Sequence, residues 1–185
     1  MKMFAALFAF VIVAVVGVYF MSYNTLIGLK HGVEEGAAAI DTQLQRRSDL
    51  IPNLVATVKG FARHETEVFK SVTDARERMM SASTMAEKSA ANGELSGALS
   101  RLLAISESYP ELKSDKVYIG LMDELSGTEN RIAHARDKYN RKVRALNETM
   151  EKLPYSMLVP SLAIDKADYF EAEASARKPV KVELD

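Results

Sequence analysis

The sequence predicts an all-α protein: an N-terminal transmembrane helix followed by an elongated antiparallel four-helix bundle with long, coiled-coil-like helices. Three observations carry that prediction. Nineteen consecutive residues from Met3 to Met21 carry no charge. Past them, apolar side chains return every three or four positions, the period of an amphipathic helix. The 185 residues include nine glycines, five prolines and no tryptophan, and are rich in Ala, Glu, Lys, Leu and Arg, a helical composition.

The first element, "MFAALFAFVIVAVVGVYFM", spans roughly 28 Å as a helix, close to the ~30 Å hydrocarbon core of a bilayer. A cleaved signal peptide would end its apolar run sooner, at small residues. Here Tyr19, Phe20 and Met21 end the run, and no cysteine is available for lipidation. Residues 1–21 are therefore expected to be a single-pass anchor. Lys2 ahead of the span favours a cytoplasmic N-terminus, with the rest of the chain outside the cytoplasm.

Residues 22–154 are expected to form the bundle. Tyr23, Leu26, Leu29 or Lys30, Val33, Ala37, Ile40 and Leu44 make the first seam, interrupted by Gly28, Gly32 and Gly36 at spacings that suit close helix approach. "SDLIP", residues 48–52, reads as a corner near Ile51, because proline lacks an amide hydrogen and restrains its predecessor. Leu54, Val58, Phe61, Val68, Val72, Ala75 and Met79 continue the rhythm, which fades in "SASTMAEKSAANGELSG". Asn92–Gly93 is the expected helix stop there. A shorter helix through Leu95 and Leu102 ends at "SYPEL". From about Lys116 to Pro154, Tyr118, Leu125, Ile132, Tyr139, Val143, Leu146 and Met150 predict a helix approaching 60 Å.

Residues 155–185 read as an irregular C-terminal extension. Val180, Val182 and Leu184 alternate with charges in a strand-like way. That end is either disordered or ordered against another copy by strand addition, which makes these three residues candidate oligomer contacts.

Several function classes find no support. With 24 Lys+Arg against 25 Asp+Glu, the net charge is −1, so no basic excess exists to neutralise nucleic-acid phosphates. The absence of cysteine excludes disulfides, thiolate catalysis and Cys-ligated metals. No phosphate loop, nucleophile elbow or dinucleotide fingerprint occurs, and His31, His64 and His134 lack the spacing of a zincin or di-iron motif. No catalytic residue, metal or cofactor is expected. Carboxylates meeting from separate helices are the remaining route to an enzyme.

The adjacent Arg46 and Arg47 stand roughly 37 Å along the helix from Met21, beyond the ~8 Å reach of headgroup charge. One is expected to face water while the other meets a carboxylate or helix C-terminal carbonyls. The charge-dense stretch 128–143 reads as a salt-bridge-laced outer face, including Asp137–Arg141. Asn130 and Asn140 are candidates for polar residues that fix the bundle's register.

Five segments, "YNTLIGLK", "IDTQLQRRSDLIPNLVATVKGFARHE", "SYPELKSD", "TENRIAHARDKYN" and "YFEAE", together resemble the LemA family from about Ser22 to Glu173. The resemblance implies a bacterial membrane segment followed by an antiparallel helical bundle. It implies no established enzymatic activity, and a branch of the family is tied to magnetosome membrane formation. The motif residues carried by these segments, Arg46, Arg47, Asp49, Pro52, Asn53, His64, Glu65, Asn130, Arg131, Tyr139 and Asn140, are structural expectations with no catalytic role. Lys30–His31 and Gly36 depart from the family, which commonly has more arginine and an aromatic there.

The resulting expectation is a scaffold in the bacterial cytoplasmic (inner) membrane that contacts lipid, forms a homo-oligomer and organises or shapes the membrane. An adaptor for an envelope protease or stress-response partner is the second reading. A cross-helix carboxylate metalloenzyme is the third.

Overall fold

The structure is a computed structural model and describes residues 2–171. Its order is α1 (Lys2–Phe61), α2 (Thr66–Ser81), α3 (Met85–Ser106), the single turn α4 (Pro110–Lys113), α5 (Lys116–Met150), a 3₁₀ turn (Tyr155–Met157) and the single turn α6 (Val159–Leu162). No strand occurs among the described residues. The distal part of α1 packs with α2, α3 and α5 as the all-helical bundle the periodicity predicts.

One helix, α1, serves both parts of the chain. Its 60 residues extend about 90 Å. Residues 2–21 are exposed on every face, and the first buried residue is Ser22. From there Leu26, Val33, Gly36, Ile40, Leu44, Ile51, Leu54 and Val58 form one buried stripe. On α5 the stripe is Tyr118, Leu125, Ile132, Tyr139, Val143, Leu146 and Met150, the threes, fours and sevens of a coiled-coil seam. The two helices run antiparallel: Glu35 accepts from Lys142 Nζ at 2.8 Å, and Arg46 pairs with Glu124 nearer the start of α5. Of the first-seam glycines, Gly36 makes the close approach. A Cβ there would stand 3.3 Å from the Tyr139 Cα, whereas Gly28 faces open space.

The boundaries expected at Pro52, at Asn92–Gly93 and at Pro154 are corrected. The corner predicted at Ile51–Pro52 does not form, and α1 continues through Pro52 to Phe61. Proline leaves the carbonyl four residues earlier without its helical donor, and that carbonyl is Ser48 O. Arg76 of α2 supplies the substitute, with Nε donating to Ser48 O at 2.9 Å. The turn instead occupies residues 62–65, beginning at buried Ala62, with Lys59 of α1 lying 5.4 Å from the Phe69 ring centre of α2. Replacing Arg76 with alanine is expected to cost about 1–2 kcal/mol by stranding the carbonyl. In a Pro52→Ala background the same change should cost less, since residue 52 then donates its own amide. A double-mutant cycle of denaturant unfolding measures the difference, and equal costs in both backgrounds would refute the compensation.

The stop expected at Asn92–Gly93 is also absent, because α3 begins earlier and runs straight through it. Its start is a capping box. Glu87 N donates to Thr84 Oγ1 at 3.1 Å, and Thr84 N donates to Glu87 Oε2 at 3.0 Å. Ser83 adds its amide and hydroxyl to the same oxygen, each at 2.9 Å. The backbone amides of Thr84 and Ser83 hold the Glu87 carboxyl at about 2, against an ordinary 4.5. A lowered carboxyl pKa stabilises the folded state above the unfolded value and loses that effect as pH falls through the folded one. The α3 start is therefore expected to stay closed at pH 4 and to fray as pH approaches 2. Glu87→Ala should fray it even at neutral pH, read as faster amide exchange in the first turn of α3.

Farther along, α5 is capped by Asp115, which accepts from Tyr118 N at 2.8 Å. It ends at Met150, sooner than Pro154. The 3₁₀ turn and α6 follow, and Ala163, at φ 47°, turns the chain back. Residues 163–171 then return along α5 without regular secondary structure.

Candidate functional site

The two arginines at 46 and 47 separate as their helical spacing requires. Arg46 is half exposed and pairs with Glu124, which also lies 3.4 Å from Arg131 Nη1. The Arg46 guanidinium holds the Glu124 carboxyl below the usual carboxylate range. Arg47 points inward, with its side chain only 6% exposed. Its Nη1 donates to Asn92 Oδ1 at 2.8 Å and lies 2.7 Å from Glu129 Oε2, while Nη2 donates to Ser96 Oγ at 3.0 Å. One planar fork thus joins α1, α3 and α5. Guanidinium geometry suits this better than an ammonium would, because its donors diverge in fixed directions. Asn92 is buried for the same reason that it does not end α3: its amide is a ligand to the fork.

A second polar constellation holds the returning segment. Asn140 Nδ2 donates to Phe170 O at 2.9 Å, and Phe170 N donates back to Asn140 Oδ1 at 3.0 Å. Seven residues along α5, Asn147 makes the same exchange with Ala167, both bonds 3.0 Å. Tyr139 Oη donates to Asp168 O at 2.7 Å, and Ser89 of α3 donates to Glu171 O at 3.0 Å. Burial, with the nearby Asp168 carboxylate, raises the Tyr139 hydroxyl above its ordinary value. Phe170, 2% exposed, is the apolar anchor. The side-chain amides read the backbone of this strap, residues 163–171, as a neighbouring strand would.

The remaining motif residues take plainer positions. Asp49 is exposed and accepts from Gln45 Nε2 at 2.8 Å. Pro52 and Asn53 lie on the exposed face of α1, His64 is exposed in the turn, and Glu65 is half-buried at the head of α2. Asn130 is exposed, so the register role expected of it does not arise; Asn140 binds the strap instead of a facing helix. Val180, Val182 and Leu184 lie outside the described residues. Sequence reasoning missed Arg76, Asn92, Ser96, Glu129, Asn147 and Phe170. The seven-residue step from Asn140 to Asn147 was the available signal for one of them.

These groups hold elements together and present no nucleophile–base pair. Among the described residues no three His, Asp or Glu side chains gather as a metal site requires. The recesses are shallow. Ala75, Gly97 and Ala98 floor one of about 560 Å³ between α2 and α3, with Arg78, Glu94 and Arg101 around it.

A continuous helix with an apolar, fully exposed first third and a polar-knotted bundle beyond it define a membrane-associated helical protein. Residues 36–184 match the LemA family, and the chain belongs to it. Among curated proteins it is similar to "Magnetosome protein MamQ 1" and "Magnetosome protein MamQ 2" of Paramagnetospirillum magneticum and "Magnetosome protein MamQ" of Magnetospirillum gryphiswaldense. Each is 25% identical over 195 residues, covering 91% of this chain and 72% of the relative.

Proposed function

We propose that this chain is a scaffold in the bacterial cytoplasmic membrane, anchored by residues 1–21, that self-associates to organise or shape the membrane and catalyses no reaction. The observation that carries the reading is the unbroken run of α1 from exposed apolar residues into the buried seam. A joint between anchor and bundle would let the bundle swivel, whereas one helix transmits orientation from lipid to protein and from protein to lipid. The likeness to magnetosome proteins supports a place at a membrane.

Self-association through heterologous contacts would build rings where the rotation closes and open arrays where it does not. Lys2 ahead of the span supports an extracytoplasmic bundle. Full-length protein in detergent or nanodiscs at micromolar concentration, measured by light scattering and electron microscopy, is expected to contain several copies. A strict monomer overturns the self-association. A stoichiometric second polypeptide from native membranes, in place of further copies, would turn the reading toward an adaptor.

A further inference from the structure

The α1–α5 register fixes which parts of the chain stand at the base of the bundle. Gly36 faces Tyr139 and Glu35 pairs with Lys142, so Met150, eleven residues farther along α5, stands beside roughly residue 25 of α1. The 3₁₀ turn that follows packs on α1 as well. Residue 25 lies about 6 Å beyond Met21 along the helix axis. The polar layer of a bilayer is about 5–7 Å deep on each side of its hydrocarbon core. The loop leaving α5 is therefore at the depth of the headgroups when residues 2–21 fill the core.

Its surface suits that depth. Leu153 and Met157 are each 75% exposed, Pro154 and Pro160 are exposed beside them, and Lys152 is an exposed cation at the same turn. Tyr155, Leu158, Val159 and Leu162 pack inward against the core and fix the turn in place. In water such an apolar knuckle has no partner. At the lipid boundary its apolar tips enter the acyl edge, and lysine reaches the phosphates.

We infer that residues 151–162 form a second lipid-contacting element, a foot that sets Leu153 and Met157 into the headgroup layer beside the α1 span. The inference rests on the anchored reading of α1. The foot adds a second point of attachment, so that the bundle is held against rotation as well as against leaving the membrane.

The chain has no cysteine, so single introduced cysteines report single sites. Full-length Leu153→Cys, Met157→Cys, Phe8→Cys and Val117→Cys are labelled with an environment-sensitive fluorophore and reconstituted in vesicles of phosphatidylethanolamine and phosphatidylglycerol. Lipids carrying nitroxides at the headgroup or deep in the acyl chain serve as quenchers. The expected result is blue-shifted emission at 153 and 157 that is lost to the shallow quencher. Phe8 should be lost to the deep quencher, and Val117, exposed at the far end of α5, should be unaffected by either. Quenching at Phe8 without any at 153 and 157 overturns the foot and leaves the anchor standing. No quenching at Phe8 overturns both.

Discussion

Replacing Arg47 with alanine is expected to destabilise the bundle by about 3 kcal/mol, while the same change at adjacent Arg46 should cost less than about 1 kcal/mol. The contrast follows from where the two guanidiniums lie. Arg46 is 53% exposed and its pairing with Glu124 is shared with water. Arg47 is buried, and its loss leaves the buried Asn92 carbonyl without its donor, at about 1–3 kcal/mol. It also opens a void between three helices, whose lining loses packing contacts. Glu129 is half exposed and regains hydration, which keeps the total below that of a fully buried pair. Arg47→Lys should fall between, because an ammonium keeps the charge but cannot reach Asn92, Ser96 and Glu129 from one plane. Thermal unfolding of the full-length protein followed by circular dichroism checks the order. Equal effects at 46 and 47 would refute this account of the knot.

Phe170→Ala is expected to release the strap and leave the four long helices folded. Removing a fully buried phenylalanine costs about 3–5 kcal/mol. The hydrogen bonds that remain, from Asn140, Asn147, Tyr139 and Ser89, contribute about 0.5–1.5 kcal/mol each, too little alone to offset the roughly 1–2 kcal/mol of backbone entropy that each ordered residue of the strap costs. Residues 164–171 should therefore lose amide-exchange protection, while α5 keeps its own. A mutant that unfolds globally at the same midpoint as its strap opens would show that the segment belongs to the bundle's cooperative core.

The helical class and the seams of α1 and α5 were legible because each depends on local periodicity; the arginine pair was legible only as a difference in exposure, since both guanidiniums meet a carboxylate. The boundaries were less so. Pro52 carries a strong local stop signal, and it is cancelled by Arg76, which is distant in sequence and whose donor meets the carbonyl that proline strands. Asn92–Gly93 carries another, cancelled because the asparagine is needed inside, facing Arg47. In both cases a tertiary partner answers the backbone or side-chain demand that propensity assigns to a turn. The strap was hidden for a related reason. Its partners are amides that contact main chain, and main chain has no sequence signature.

The uninterrupted α1 also makes a lever. On the anchored reading, Phe61 stands about 60 Å above the bilayer edge. A lean of about 20° in the span, ordinary for such helices, then carries that far end sideways by about 20 Å. Neighbouring copies leaning in concert would draw their tips together or splay them apart. Thickness and curvature of the lipid would thereby be written, magnified, into the spacing of the distal ends.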